Sequence, residues 1–173
     1  MSNAQFQSCT PSQMSREAFI VTFADIYEHS AWVAEQAYDL GIDEHFDQIE
    51  ALHGRMAKIL LESDQQSQLD LINAHPDLAG KAAVAGELTE SSTSEQAGAG
   101  ISECTAEEFA RFTQLNDAYK AKFGFPFIMA VKGSNRHQIL ASFEERIHNN
   151  PEQEFSRALQ EINKIAQFRL EAM

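Results

Sequence analysis

The chain has 173 residues, of which 43% are hydrophobic and 12 are phenylalanine, so it can build a sizeable core for one domain. Its formal net charge of −13 disfavours nucleic acids and anionic membranes as partners, because an acidic surface repels both. No apolar run approaches the roughly 18 residues of a membrane helix, and no signal-peptide pattern opens the chain. Cys9 and Cys104 form neither a CxxC motif nor a metal-ligand spacing, so we expect a reduced, cytoplasmic protein.

Apolar residues at helical spacing dominate the chain from Ser15 onward. The predicted helices begin at or near Ser15, Ser30, Phe46, Ser63, Ser92, Thr105, Ser134 and Asn150. Ser63, Ser92 and Thr105 each have Glu or Gln three residues later, which is the spacing of a capping box. The predicted fold class is all-α, with about seven to nine helices in one compact domain over residues 15–173. Residues 1–14 are predicted to be a flexible N-terminus whose first four residues resemble an expression-tag remnant.

Two stretches depart from the helical pattern. Residues 82–102 are rich in small and polar residues, which is typical of a mobile linker, although a short helix could start at Ser92. Phe125–Val131 is the most apolar run, but no second strand signal exists to pair with it. We therefore predict an extended segment at residues 125–131 that passes through the helical core. Its backbone amides need partners, and a bound ligand could be one.

His75 is the first candidate for a reactive group. Pro76 restricts it to extended backbone geometry, so we expect His75 at the point where a helix stops, with its imidazole projecting beyond the helix end. Asp77 and Gly80 follow within the same turn. The alternative interpretation is a helix terminator in which the histidine only caps the last carbonyls.

Glu95 and Arg169 are the other candidates, and each has a structural alternative. Glu95 has the spacing of an N-terminal capping residue for a helix that starts at Ser92. On a helical wheel, Arg169 falls within about 20° of Ile162 on the buried stripe of the last helix, whereas Arg157 lies roughly 140° away. A guanidinium that faces a core is costly unless it is paired or contacts a ligand. Fraying of the chain end, which would let Arg169 reach solvent, is the alternative.

One histidine, one carboxylate and one arginine can form an acid–base site for a small anionic molecule. They make a poor metal site, because His75 and Asp77 are only two residues apart and no His-x-x-x-His pair exists; no bound metal is therefore expected. Two other classes stay open at this point. One is a helical ligand-binding module without enzymatic activity, and the other is a metal-dependent hydrolase that uses His75, Asp77 and Glu95.

Several ordered blocks of the sequence resemble one family closely. The blocks are HPDLAG at His75–Gly80, SEQAG at Ser94–Gly98, LN-x-x-Y at Leu115–Tyr119, FGFPF at Phe123–Phe127, and the stretch from Ala158 to Leu170. The family is that of the 2-oxo-4-hydroxy-4-carboxy-5-ureidoimidazoline (OHCU) decarboxylases of urate degradation. The resemblance covers roughly residues 15 to 172, nearly the whole chain.

The resemblance implies an all-helical fold, a homodimer, and conversion of OHCU to (S)-allantoin with loss of carbon dioxide. The family's catalytic histidine, glutamate and arginine correspond to His75, Glu95 and Arg169. The predicted substrate contacts are Pro76, Asp77, Ser92, Gln96, Phe127, Ile128, Met129, Ala130 and Val131. No cofactor is expected, because the substrate carries its own electron sink, a C=N bond conjugated to the carbon that loses the carboxylate.

A mechanistic hypothesis follows from that resemblance. Arg169 anchors a polar or anionic group of the substrate, and apolar walls from Phe127 to Met129 desolvate the carboxylate. His75 acts as general acid–base at the hydroxyl and carboxylate end, oriented by Asp77. Glu95 binds the ureido side and helps to set the face on which the new C–H bond forms.

Overall fold

The computed structural model describes residues 4–80 and 88–173. These residues contain no β-strand, and Gln5 and Gln48 form one isolated bridge, so the all-α prediction is confirmed. The eight α-helices of the described residues are α1 (Arg16–Phe23), α2 (Trp32–Asp39), α3 (Ile49–Glu62), α4 (Gln65–Asn73), α5 (Glu90–Gly98), α6 (Ala106–Phe123), α7 (Arg136–Arg146) and α8 (Pro151–Glu171). The linker prediction for residues 82–87 lies outside the described residues. None of these helices combines the length and the apolar character that crossing a bilayer requires.

The described residues separate into two compact units. The first unit contains the described residues up to Ala74 together with Asn163–Met173. The second unit contains the described residues of His75–Ile162. Helices α1 to α4 therefore belong to the first unit and α5 to α7 to the second, while α8 contributes residues to both.

The first unit has an aromatic core. Phe19 and Phe23 are fully buried on α1, and Phe6 packs edge-on against Phe23 with ring centroids 5.5 Å apart. The backbone amides of Gln7 and Ser8 both donate to the carbonyl of Met173, which follows the end of α8. The Phe6 and Gln7 contacts attach the N-terminal segment to this unit.

The second unit is built around a buried ion pair and a cluster of rings. Arg146 Nε donates to Glu154 Oε1 at 3.0 Å, and the Tyr119 hydroxyl donates to the same oxygen at 2.6 Å. Burial and the Glu154 carboxylate raise the pKa of Tyr119, so its hydroxyl stays protonated and remains a donor. Phe127 stacks on Phe143 with ring centroids 3.9 Å apart, and it also packs edge-on against Tyr119. The Arg146 guanidinium lies 4.3 Å from the centre of the Phe127 ring.

Three of the predicted helix starts are confirmed. Ser15 caps α1 by accepting from the amide of Ala18. Thr105 and Glu108 form the predicted capping box at the start of α6. Asn150 precedes Pro151 at the start of α8 and accepts from the amide of Gln153. Gly124 ends α6 in a left-handed conformation, with φ of 79°, as its position after the last apolar residue predicted.

The other predicted starts differ from the observed N-caps by one to three residues. The actual N-caps are Ala31 for α2, Gln48 for α3, Asp64 for α4, Thr89 for α5 and Asn135 for α7. The Ser30 hydroxyl donates to the carbonyl of Glu28 instead of capping, and Phe46 lies in the 3-10 turn Glu44–Asp47 before α3. Ser, Thr, Asp and Asn have similar capping energies, so neighbouring candidates cannot be separated by residue type alone.

Candidate active site

The turn around His75 begins where α4 ends, at the C-cap residue Ala74. His75 is half-buried, and the helix stops just before it, as the backbone restriction imposed by Pro76 predicted. Ala79 takes a left-handed conformation with φ of 55°, which costs a non-glycine residue roughly 1–2 kcal/mol. A Cβ atom on Gly80 would lie 2.7 Å from the Cβ atom of Asp77, so the tight turn requires glycine there.

Side chains from α5 and α6 hold this turn in place. Gln96 Oε1 accepts from the amide of Ala79 at 3.0 Å, and its Nε2 donates to the carbonyl of Asp77 at 3.3 Å. Asn116 Nδ2 donates to the carbonyl of Leu78 at 2.9 Å. These three bonds satisfy buried backbone groups of the strained turn, and they offset the conformational cost at Ala79.

Asp77 and Gln96 were predicted as substrate contacts, and the structure shows what their polar groups bind within the protein. The Asp77 carboxylate pairs with Lys120 Nζ at 2.7 Å, and the Gln96 amide is bonded to the turn. If Asp77 orients His75, its carboxylate must do so while it is also paired with Lys120. Pro76 is half-buried in the same turn.

Glu95 lies on the face of α5 that meets the turn. Ser92, Gln96 and Ala99 are buried, and their spacing of three and four residues places them on one side of the helix with Glu95. Glu95 itself is half-buried. The capping-box interpretation of Ser92 and Glu95 is wrong, because Thr89 caps the helix and Glu95 sits in its body. Helix α5 thus carries Glu95 next to Gln96, which binds the turn that contains His75.

Arg169 lies in the first unit, near the end of α8. Its side chain is 8% exposed, with Nη2 2.9 Å from Glu28 Oε2 and Nη1 donating to the carbonyl of Asp25 at 3.0 Å. Arg157 on the same helix is 43% exposed, as the helical wheel predicted. Arg169 is therefore buried and paired, and the fraying alternative is wrong.

The apolar segment Phe125–Val131 lies outside helices and strands, as predicted. The ring of Phe127 is 1% exposed, so that side chain belongs to the core of the second unit. Ile128 and Val131 are buried as well, whereas Met129 and Ala130 are half-buried. Contacts between this segment and a ligand would therefore come mainly from its backbone and from the residues at 129 and 130.

The hydrogen bonds of this segment are unevenly distributed. The carbonyl of Ile128 accepts from Arg146 Nη1 at 2.7 Å, and the amide of Ala130 donates to Glu161 Oε1 at 3.2 Å. Within residues 4–80 and 88–173, the amides of Ile128, Met129 and Val131 have no hydrogen-bond partner. Among residues 128–131, the prediction that backbone amides are available to a ligand thus applies to those three residues and not to Ala130.

Several buried polar residues of the two units were not identified from the sequence. Glu154 and Glu161 are seven residues apart and project from the buried side of α8, so a wheel that included charged residues would have identified them. Asn116 lies between the apolar positions of α6 and gave a weaker signal of the same kind. Glu28 lies between α1 and α2, outside any periodic pattern, and nothing in the sequence pointed to its pairing with Arg169.

Histidine, cysteine and acidic side chains do not form a metal-binding cluster of three or more anywhere in the described ranges 4–80 and 88–173. His75, Asp77 and Glu95, the ligands of the hydrolase alternative, are all among those residues. The side chains that surround the turn are instead an amide pair, Gln96 and Asn116, and the Lys120–Asp77 ion pair.

Comparison with known proteins gives a consistent result. A 2-oxo-4-hydroxy-4-carboxy-5-ureidoimidazoline decarboxylase of Halalkalicoccus jeotgali is 40% identical over 162 residues, covering 94% of this chain and 88% of that relative. The protein of the same description in Haloferax volcanii is 36% identical over 159 residues, covering 92% and 90%.

Solved structures resemble the chain as well. A crystal structure of (S)-allantoin synthase superposes with a TM-score of 0.73 at 32% identity, covering 94% of this chain and 52% of that one. An OHCU decarboxylase crystallised in the presence of (S)-allantoin superposes with a TM-score of 0.70 at 23% identity, covering 91% and 96%, and shares the fold. The family model for OHCU decarboxylase matches residues 12–171, and the chain belongs to the OHCU decarboxylase family.

Proposed function

We propose that this chain decarboxylates OHCU to (S)-allantoin in urate degradation, with His75, Glu95 and Arg169 as its catalytic residues. Membership of the OHCU decarboxylase family is the observation that carries the proposal. The reaction class is that of a carboxy-lyase. The turn around His75 supports it, because a strained backbone fixed by Gln96 and Asn116 is the kind of rigid support that an acid–base residue needs.

The bond changes of the reaction assign work to each group. The C–C bond to the carboxylate breaks and carbon dioxide leaves. The released electron pair forms a C=C bond to the carbon that bears the ureido group, while the π pair of the C=N bond moves to the ring nitrogen, which takes up a proton. The hydroxyl then loses its proton as its carbon becomes a carbonyl, and a proton adds to the carbon that bears the ureido group. His75 serves the hydroxyl and carboxylate end, and Glu95 the ureido side where the new C–H bond forms.

Arg169 has the role of an anchor for the anionic end of the substrate. Its planar guanidinium can bind a carboxylate in a bidentate manner, and its contacts to Glu28 and Asp25 hold it in a defined position. Met129 and Ala130, the half-buried residues of the apolar segment, provide the surface that excludes water from the carboxylate. The remaining proposed contacts are Pro76, Asp77, Ser92, Gln96, Phe127, Ile128 and Val131.

The decisive experiment follows freshly generated OHCU by circular dichroism. Wild-type protein should accelerate its conversion and yield one allantoin enantiomer, whereas spontaneous decay yields both. His75→Ala should fold normally, and its rate of OHCU conversion should be about 10²–10⁴-fold lower than that of the wild type. His148→Ala, an exposed histidine of the same unit, is the matched control and should keep full activity.

Each other outcome points to a different class of protein. No acceleration by the wild-type protein would leave a non-enzymatic ligand-binding module. Loss of wild-type activity on chelation would favour a metal-dependent hydrolase. If the His75→Ala variant keeps the wild-type rate, the protein is active but His75 is not one of its catalytic residues.

Two further proposals concern the assembly and its location. The family resemblance supports a homodimer, and the exposed apolar side chains Val21, Leu40 and Leu61 are candidates for its interface. Light scattering after size-exclusion chromatography would give twice the 19.3 kDa chain mass. The free Cys9 and Cys104 thiols support a reducing, cytoplasmic compartment, which fractionation of the source cells would test.

A further inference from the structure

Two buried charged residues of the second unit bind consecutive peptide groups of the apolar segment. Arg146 Nη1 donates to the carbonyl of Ile128 at 2.7 Å, and Glu161 Oε1 accepts from the amide of Ala130 at 3.2 Å. Both side chains are at least 96% buried. The two peptide groups flank Met129, so the backbone on either side of this one residue is fixed.

Peptide geometry then sets the direction of the Met129 backbone. A trans peptide group is planar, with its C=O and N–H bonds pointing in opposite directions, and none of the peptide bonds in the described residues is cis. Because Arg146 binds the carbonyl of Ile128, the amide of Met129 points away from Arg146. Because Glu161 binds the amide of Ala130, the carbonyl of Met129 points away from Glu161.

We infer that Arg146 and Glu161 are positioning residues that keep the N–H and C=O of Met129 available as a donor–acceptor pair for the ring amide of the substrate. Within residues 4–80 and 88–173, neither group of Met129 has a hydrogen-bond partner, and the residue lies where the segment becomes partly exposed. A ring amide with N–H and C=O on adjacent atoms matches such a pair, as one strand matches the next in an antiparallel ladder. The inference deepens the proposed function and rests on it.

The surrounding contacts explain how Arg146 and Glu161 stay rigid. Arg146 Nε is also bonded to Glu154, whose carboxylate accepts from Tyr119 and Asn149. The Arg146 guanidinium also lies 4.3 Å from the centre of the Phe127 ring. Glu161 Oε2 is paired with Arg157 Nε at 3.2 Å. Neither Arg146 nor Glu161 needs to touch the substrate, and their effect is transmitted through the backbone at residues 128–130.

The test compares substitutions at Glu161. Glu161→Met removes the acceptor for the Ala130 amide, and we expect the KM for OHCU to rise roughly tenfold while kcat stays within about twofold, the loss expected for one hydrogen bond. Glu161→Gln keeps an acceptor oxygen and should retain a KM close to that of the wild type. Gln160→Met, the same replacement at the exposed neighbouring position, should change neither constant.

A binding measurement separates this positional effect from a structural one. Calorimetric titration with hydantoin, a ring that carries the amide but neither carboxylate nor ureido group, should show the same tenfold weakening in Glu161→Met and little change in Glu161→Gln. Arg146→Lys is an independent second variant, because lysine lacks the planar fork in which Nε binds Glu154 and Nη1 binds the Ile128 carbonyl. It should weaken hydantoin binding to a similar degree.

The outcomes that would overturn the inference are distinct from failure of the proposed function. If wild-type protein does not convert OHCU, the proposed function fails. If the wild type is active and either Glu161→Met or Arg146→Lys has native circular dichroism with an unchanged KM and unchanged hydantoin affinity, Arg146 and Glu161 do not position Met129. A fall in kcat alone, with binding unchanged, also contradicts the inference.

Discussion

Arg169 Nη2 lies 2.9 Å from Glu28 Oε2, and the two side chains are 8% and 2% exposed. A residue proposed to hold an anion is thus already neutralised by a carboxylate of the same unit. The pair makes a charged guanidinium tolerable in a buried position, and it fixes the orientation of the guanidinium plane. Arg169 would accordingly recognise its ligand through hydrogen-bond geometry more than through excess positive charge.

Breaking this pair should destabilise the protein. Glu28→Gln leaves a buried guanidinium without its counter-charge, which typically costs about 3–5 kcal/mol when one partner of a buried pair is removed. We expect a clear fall in the midpoint of thermal or urea unfolding. Glu50→Gln, an exposed glutamate in the first turn of α3, is the control and should shift the midpoint little. Equal midpoints for Glu28→Gln and wild type would show that the pair contributes nothing to stability.

Gln96→Glu tests whether the amide at this position holds the catalytic turn. The new carboxylate can still accept from the Ala79 amide, but it has no donor for the Asp77 carbonyl 3.3 Å away. We expect a loss of about 1–3 kcal/mol of stability and a lower kcat/KM, because the turn that carries His75 loosens. Unfolding curves and steady-state kinetics check this, with the exposed Gln114→Glu on α6 as the control.

Two glycines should respond in opposite directions to the same change. Gly80→Ala places a Cβ atom 2.7 Å from that of Asp77, so the turn must shift, and both stability and activity should fall. Gly54→Ala on α3 meets no atom within 4 Å, and alanine in a helix interior should stabilise the protein by about 0.5–1 kcal/mol. Urea unfolding measures both effects. Destabilisation of similar size in both variants would contradict this explanation.

The capping box of α6 should contribute to acid sensitivity. The backbone amide of Thr105 and the Arg136 guanidinium hold the pKa of Glu108 below its ordinary value. A depressed folded-state pKa gives stability that is present above the unfolded-state pKa and is lost as the pH falls through the folded-state value. Glu108→Gln should therefore lose less thermal stability than wild type between about pH 6 and about pH 3.

The matched control for this acid titration is Glu107→Gln, which replaces an exposed glutamate on the same helical turn. Its unfolding midpoint should fall with pH as steeply as that of the wild type. Parallel curves for Glu108→Gln and wild type would show that the Thr105 and Arg136 contacts do not couple to folding.

Periodicity and cap chemistry were sufficient to predict the all-α class, the helices and the extended segment. Thr105 with Glu108, and Asn150 with Pro151, are specific signals, because each satisfies amides that a helix start leaves open. The starts predicted at Ser63 and Ser92 were missed by one and three residues, because Asp64 and Thr89 also have side chains that cap a helix.

The candidate site was only partly predictable. The helix end at His75 and the burial of Arg169 follow from proline and from the helical wheel, which are local properties of the chain. The pairings of Arg169 with Glu28 and of Asp77 with Lys120 join residues far apart in sequence, so no local pattern encodes them. The catalytic and substrate-contact roles come from the family resemblance, and they stay predictions.

The support of the His75 turn also bears on the order of folding. The bonds that hold residues 77–79 reach across 19, 38 and 43 positions of the chain, to Gln96, Asn116 and Lys120. Contacts over such separations form after local helices, since the intervening chain must first be closed into a loop. We therefore expect the turn to take its final shape after the helices of the second unit have formed, and recovery of enzymatic activity should lag behind recovery of helical signal during refolding.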